Sequence, residues 1–125
     1  MAVSERKKLT EIARFTPDVP GLVRFYEKFL GMPPAWERSK DAEFRLGEVK
    51  LFLHATYAPE PGYPGPFDHI AFEVEDVDQA CKDLRLEGLV VEIGPRDFDW
   101  GRSAYLRDPD GRWLELHQRF PEEDR

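Results

Sequence analysis

The first half of the chain changes from strand-like to helix-like spacing of its hydrophobic residues. Residues 9–16 alternate between apolar and polar positions, as in a half-buried β-strand. A broad helical stripe follows, which we expect to face the core; it consists of Leu22, Val23, Phe25, Tyr26, Phe29 and Leu30. Asp18 is placed to cap this helix at its N-terminus, and Gly31 is placed to end it. Short strands are predicted to follow at 36–39, 42–46 and 49–55.

The second half repeats this order of elements. A strand is predicted over 68–74, followed by a helix that Asp76 caps and that continues through Leu86. Further strands are expected at 89–93, 103–107 and 113–117, and Asp108-Pro109-Asp110-Gly111 forms the turn between the last two. Each half therefore predicts a βαβββ unit.

An internal repeat supports this division. Ile-Ala at positions 12 and 70 and Asp-Val at positions 18 and 76 recur at the same separation of 58 residues. The Pro- and Gly-rich stretch 57–66 lies between the copies, and it is unsuited to a helix or a central strand. We therefore expect a single domain over 1–125, with module one at about 8–56 and module two at about 67–118.

Composition and charge exclude several classes of protein. Hydrophobic residues make up 41% of the chain and aromatic residues 13%, which argues against intrinsic disorder. The net charge of −7 argues against a nucleic-acid partner, which needs a basic surface. No apolar run approaches the ~20 residues that span a bilayer, and no secretory signal is visible, so we expect a cytoplasmic protein with no membrane partner. The single cysteine, Cys81, excludes an internal disulfide and a cysteine-cluster metal site.

Three segments resemble the vicinal oxygen chelate superfamily, which includes glyoxalase I, bleomycin-resistance proteins, extradiol dioxygenases and fosfomycin-resistance enzymes. The segments are Asp18 with Phe25-Tyr26-Glu27-Lys28-Phe29-Leu30-Gly31, then Asp68-His69-Ile70-Ala71-Phe72, then Tyr105-Leu106-Arg107-Asp108-Pro109-Asp110-Gly111-Arg112-Trp113-Leu114-Glu115-Leu116. The resemblance implies an α+β fold in which two βαβββ modules form a curled mixed sheet around a cavity. It also implies a homodimer, because members of the superfamily commonly dimerise.

The resemblance further implies a candidate metal site on the first and last strand of each module. Aligning the two halves assigns these four positions to Glu11, Phe52, His69 and Glu115. Strand alternation places His69 and Glu115 on the face away from the helices. The implied ligands are thus Glu11, His69 and Glu115, a set suited to Mn²⁺, Fe²⁺, Ni²⁺ or Zn²⁺.

Two of these positions depart from known branches of the superfamily. Glu11 stands where the extradiol and fosfomycin branches have a histidine. Phe52 stands where glyoxalase I has a carboxylate, which argues against glyoxalase I activity. Metal-free bleomycin-binding members also exist, and strand carboxylates are often only solvated. His54 and His117 are alternative ligands on the same faces.

Four residues are candidates for contact with a substrate. They are Phe52, Trp100, Arg102 and Tyr105. Phe98, Trp100, Gly101 and Arg102 are interpreted as a loop in which the rings supply apolar contact and the guanidinium binds an anion. The alternative is that Trp100 packs within the loop and that Arg102 pairs with a surface carboxylate. Trp36, Arg45 and Tyr57 are candidates for the opposite wall.

Two functions are compatible with these observations. The first is a metal-dependent lyase, dioxygenase or transferase acting on a small oxygenated metabolite, with the ion as Lewis acid. In that enzyme Glu115 is the candidate catalytic residue, and Glu115 or Glu11 would change from ligand to base. The second is a metal-free, bleomycin-resistance-like protein that binds a cationic aromatic molecule through its rings and negative charge.

Overall fold

The computed structural model describes residues 6–121. Residues 1–5, which belong to the segment without a visible secretory signal, lie outside the described range, as do residues 122–125. The elements in chain order are β1 (Lys8–Thr16), α1 (Val19–Leu30), β2 (Trp36–Glu37), β3 (Asp41–Leu46), β4 (Val49–Ala55), β5 (His69–Glu73), α2 (Val77–Leu86), β6 (Ile93–Phe98), β7 (Gly101–Arg107) and β8 (Trp113–Gln118). Two βαβββ halves are therefore present, as predicted.

The strands form a mixed sheet in the order β2-β3-β4-β1-β5-β8-β7-β6, which confirms the α+β class. The chain divides into two compact units, one of which is Thr10–His69; the other contains the residues outside that range. In the first unit β1 runs parallel to β4, and β2, β3 and β4 form an antiparallel ladder. In the second unit β6, β7 and β8 form the equivalent ladder. Among the described residues no helix has the length and apolar character needed to cross a membrane.

Both helices begin as the sequence predicts. The Asp18 carboxylate accepts a hydrogen bond from the Gly21 amide at 3.1 Å, and the Asp76 carboxylate accepts one from the Gln79 amide at the same distance. These bonds satisfy amide groups that have no partner within the first helical turn. At the other end of α1, Gly31 adopts a left-handed conformation with φ of 71°, which glycine reaches without the steric cost of a Cβ.

Each helix packs on its own set of strands. Val19 and Val23 of α1 are buried against β3 and β4, in a cluster completed by Ala42, Phe44, Leu51 and Leu53. The second cluster joins α2 to β7 and β8 and consists of Val74, Val77, Ala80, Cys81, Ala104 and Leu116. The face of each sheet segment opposite its helix is thus left for other contacts.

The predicted core stripe of α1 is wrong at two positions. Phe25 is 58% exposed and Phe29 is 73% exposed, and the two rings stack on each other at 6.3 Å. Successive helical residues are rotated by about 100°, so both rings lie on the far side of the helix from Val23. The stripe read from the sequence was wider than the face that the sheet covers.

The predicted strand at 89–93 is also wrong, because β6 begins only at Ile93 and continues to Phe98. Phe98 therefore ends one strand, and Gly101 and Arg102 begin the next, so that the expected loop shrinks to Asp99 and Trp100. Gly94 and Pro95 conceal this strand in the sequence, since both residues normally interrupt strands. The register of β6 against β7 shifts between Ile93 and Arg96, which accommodates them.

Candidate metal centre

In module one, Glu11 lies on the face of β1 that points away from α1. Its neighbour Ile12 packs against the core cluster beneath α1, so alternation directs Glu11, Ala13 and Phe15 to the other face. Ala13 is the register partner of Phe52, and Phe15 is the register partner of His54. The first strand of module one therefore presents a carboxylate followed by apolar groups.

His69 is held in the orientation that a metal ligand needs. Its Nδ1 lies 2.9 Å from the carbonyl oxygen of Phe67. Because a carbonyl oxygen only accepts, Nδ1 donates this hydrogen bond, so Nε2 is the nitrogen with which the neutral imidazole would bind a metal ion. The preceding residue, Asp68, accepts a hydrogen bond from the amide of Phe15 at 2.9 Å, which fixes this segment against β1.

In module two, Glu115 is a buried carboxylate held by its neighbours. It is 4% exposed, and its Oε2 accepts a hydrogen bond from Ser103 Oγ at 2.8 Å. The indole Nε1 of Trp100 lies 3.3 Å from the same oxygen and 3.2 Å from Ser103 Oγ. Trp100 in turn stacks on Phe98 at 4.6 Å. One oxygen of Glu115 is thus positioned by module two itself.

The structure brings the three predicted ligands together. Among the residues that it describes, Glu11, His69 and Glu115 each offer one ligand atom, and these atoms all lie within 4.8 Å of one another. Glu11 and His69 are half-buried and Glu115 is buried. Two carboxylates and one neutral imidazole are donors that first-row divalent ions accept. The residues therefore fit a divalent cation.

The alternative histidines are engaged elsewhere. His54 Nδ1 donates to the Ala55 carbonyl at 2.6 Å, and its ring lies 5.7 Å from those of Phe15 and Phe52. His117 Nδ1 lies 3.4 Å from Ser103 Oγ. Neither histidine belongs to a three-ligand group within residues 6–121.

The buried carboxylate of Glu43 was missed by sequence reasoning. It is 6% exposed, is the register partner of Phe52, and accepts a hydrogen bond from Arg45 at 2.8 Å. Module two contains the same pairing with the strands exchanged, because Tyr105 on β7 is the partner of Glu115 on β8. The signal was the alternation of β3, whose apolar residues Ala42 and Phe44 flank Glu43 and pack under α1.

Arg102 lies on the opposite face of β7 from Ser103 and Tyr105. Its guanidinium donates to both carboxylate oxygens of Asp78, at 2.7 and 3.0 Å, and to Asp97 at 3.0 Å. These bonds raise the pKa of Arg102, and the hydrogen bond from Arg102 lowers the pKa of Asp78. This is the ion pair with surface carboxylates that the sequence offered as the alternative. We therefore leave Arg102 out of the candidate site, because strand alternation turns it away from Glu115.

We expect Arg102→Gln to lower the free energy of unfolding at pH 7 by ~1 kcal/mol, since the pair is bidentate but partly exposed. The lowered pKa of Asp78 means that its stabilisation is present above its unfolded pKa of about 3.9 and is lost as pH falls through the folded value. Urea unfolding at neutral and strongly acid pH should therefore show the difference from the unmodified protein shrink in acid. Arg112→Gln, at the 73% exposed Arg112, is the control and should change little. An equal difference at both pH values would contradict the assignment.

We expect Ser103→Ala to weaken divalent-metal binding by about tenfold, because it removes the hydrogen bond that holds Glu115 Oε2. Isothermal titration calorimetry with Mn²⁺ measures this change. Ser39→Ala, at an exposed position, is the matched control. Unchanged affinity in a folded Ser103→Ala protein would show that Ser103 does not position the ligand.

Residues 8–116 match the Glyoxalase/Bleomycin resistance protein/Dioxygenase superfamily. The chain belongs to this superfamily. The resemblance carried by its three sequence segments is thereby confirmed, and the two-module fold is the one that the superfamily implies.

Similar proteins span most of the chain. Glutathione transferase FosA of Serratia marcescens is 28% identical over 113 residues, which cover 89% of this chain and 80% of FosA. Metallothiol transferase FosB of Staphylococcus epidermidis is 30% identical over 115 residues, which cover 89% of this chain and 83% of FosB. The crystal structure of methylmalonyl-CoA epimerase from Mycobacterium tuberculosis superposes with a TM-score of 0.71 at 20% identity, covering 99% and 96% of the two chains. At that identity the epimerase supports the fold alone.

Proposed function

We propose that this superfamily member is a divalent-metal-dependent enzyme acting on a small oxygenated metabolite, with Glu11, His69 and Glu115 as the metal ligands. The observation that carries the proposal is the convergence of their ligand atoms within 4.8 Å. Of the reaction classes open to the fold, a transferase is favoured, because FosA and FosB, which each align with 89% of this chain, are named as transferases. The ion is Mn²⁺, Fe²⁺, Ni²⁺ or Zn²⁺.

The chain's own residues then have separate tasks. A bound divalent ion would supply Lewis acidity toward the substrate's oxygens. His69 would bind the ion through Nε2, because its Nδ1 donates a hydrogen bond to the Phe67 carbonyl. We assign Glu115 to proton transfer as well as to metal binding, since hydrogen bonds from Ser103 and Trp100 fix the position of its Oε2. Trp100, which is 41% exposed, is the candidate substrate contact of module two, whereas the predicted contact Tyr105 is only 2% exposed and lies beside Glu115.

Phe52 argues against one activity of the superfamily. It occupies the fourth ligand position and carries no donor atom, so the proposed site has three protein ligands. We therefore do not propose lactoylglutathione lyase activity, although lactoylglutathione lyase of Pseudomonas aeruginosa is 41% identical over 56 residues.

Metal content and metal-dependent ligand binding test this proposal. Purified protein should contain about one divalent ion per chain, and chelator-treated protein should bind acetohydroxamate, a small ligand with two adjacent oxygens, only after metal is restored. If the purified protein binds no divalent ion, the proposal of a metal-dependent enzyme is refuted. The metal-free binding protein would then be the better assignment, and a row of aromatic rings within Thr10–His69 is the observation that favours it.

We also propose that the protein is a homodimer. Large apolar side chains are exposed on both helical segments, among them Phe25, Phe29 and Leu86, which is 87% exposed. Such groups gain free energy when a second chain covers them. Light scattering at micromolar concentration should give twice the chain mass of 14.6 kDa, and a monomer mass would contradict the proposal.

A further inference from the structure

Six rings in the compact unit Thr10–His69 form a continuous row that ends at His69. Trp36 lies 6.3 Å from Phe52, and Phe52 lies 5.7 Å from His54, measured between ring centroids. His54 contacts Phe15 and Tyr57, and Phe15 lies 6.2 Å from His69. The row therefore connects Trp36 with a residue of the proposed metal site.

Four of the rings lie on strands of module one, on the face that α1 leaves uncovered; they are Phe15, Trp36, Phe52 and His54. Phe52 and His54 alternate with Leu51 and Leu53, which pack under α1, and Phe15 is the register partner of His54. Five of the rings are half-buried, and Tyr57 is 40% exposed. Their mutual angles lie between 33° and 85°, unlike the parallel stack of Phe98 and Trp100 at 2°. Because the rings are only partly buried, a planar ligand that packs on them removes further apolar surface from water, which favours binding.

The Trp36 end of the row is closed by a cation. The Arg38 guanidinium lies 4.6 Å from the centre of the Trp36 ring and donates to both carboxylate oxygens of Asp41, at 2.8 and 2.7 Å. Because Asp41 already neutralises Arg38, this end provides little attraction for an anion. The row suits an uncharged ring, with any oxygen donors at the His69 end.

We propose that this row, Trp36–Phe52–His54–Tyr57–Phe15 up to His69, binds an aromatic ring of the substrate, so that the substrate class is an aromatic compound with adjacent oxygen donors. Only one part of this inference rests on the proposed function, namely that the substrate carries oxygen donors for the metal ion. The ring contacts do not require a metal ion. Phe52 then has a positive role at the fourth ligand position, because its ring binds substrate in place of metal.

Two hydroxamates that differ in one group test the proposal on metal-loaded protein. Benzohydroxamate and acetohydroxamate present the same two oxygens, but only the first carries a phenyl ring. We expect benzohydroxamate to bind up to about tenfold more tightly, since an aromatic contact contributes up to ~1.5 kcal/mol. Phe52→Leu and Trp36→Leu, which keep apolar volume, should each reduce the preference to below about threefold while leaving acetohydroxamate and metal affinity unchanged. Phe29→Leu, at the exposed ring on α1, is the matched control and should keep the full preference.

A second probe separates this inference from the proposed function. 2-Naphthol in the presence of a chelator reports on the rings alone, through its own fluorescence. Weaker 2-naphthol binding in Phe52→Leu and Trp36→Leu supports the inference even if the protein binds no metal. If the protein binds metal, equal affinity of the unmodified protein for the two hydroxamates would overturn the inference. If the protein binds no metal, unchanged 2-naphthol affinity in both variants would overturn it.

Discussion

His69→Ala is expected to weaken the binding of Mn²⁺, Ni²⁺ and Zn²⁺ by about 100-fold or more, whereas His54→Ala should leave it within about twofold. The substitution removes the one nitrogen donor of the group formed with Glu11 and Glu115. Losing one protein ligand of three removes roughly 3 kcal/mol of a typical metal-binding free energy, which corresponds to that change in affinity. Titration calorimetry of both variants at one pH gives the comparison directly.

His54→Ala is an informative control because it removes an imidazole from the same face of module one. His54 Nδ1 is bonded to the Ala55 carbonyl, and its ring belongs to the aromatic row. Equal loss of affinity in the two variants would show that the ligand set is wrong. The affinity of the unmodified protein should also fall at acid pH, since protons compete for all three ligands.

Most of the fold was predictable because its signals are local. The caps Asp18, Gly31 and Asp76 satisfy groups within one helical turn, and the sequence therefore places both helix starts correctly. The bounds of β4 were predicted without error, since a run of apolar residues at 49–55 lies between Gly47 and the Pro- and Gly-rich stretch 57–66. β6 was misplaced because its pairing with β7 accommodates Gly94 and Pro95, and a partner strand cannot be read from local pattern.

For the candidate site too, local sequence signals predicted some features, and others depended on the folded chain. Alternation along β8 predicts that Glu115 faces away from α2, and the alignment of the two halves of the chain supplies the equivalence of Glu11 with His69. Strand alternation does not identify the hydrogen-bond partner of each side chain. The pairing of Arg102 with Asp78 joins β7 to α2, and the bond from Ser103 to Glu115 joins two strands, so both needed the register and the packing of the folded chain.

Phe52→Glu is expected to raise metal affinity by about tenfold and to lower the stability of the metal-free protein. Phe52 lies on β4 beside β1, where its register partner Ala13 is two residues from Glu11 on the same face. A carboxylate there adds the donor atom that the fourth ligand position lacks. It also faces the buried carboxylate of Glu43 across the β3–β4 ladder, and like charges directly opposite each other destabilise a sheet by up to ~1 kcal/mol.

These two effects make a distinctive pattern in thermal unfolding. Phe52→Glu should melt below the unmodified protein when metal is absent and gain more from added Mn²⁺, because a ligand that binds only the folded state stabilises it in proportion to its affinity. Phe52→Gln introduces a side chain of nearly the same size as glutamate but without its charge. This variant should be less stable than the unmodified protein and should not bind Mn²⁺ more tightly. Adding Glu43→Gln to Phe52→Glu removes the opposing carboxylate and should restore part of the metal-free stability. If Mn²⁺ affinity stays unchanged in Phe52→Glu, Phe52 does not occupy the fourth ligand position, and the alignment of β4 with β8 that argues against glyoxalase I activity fails with it.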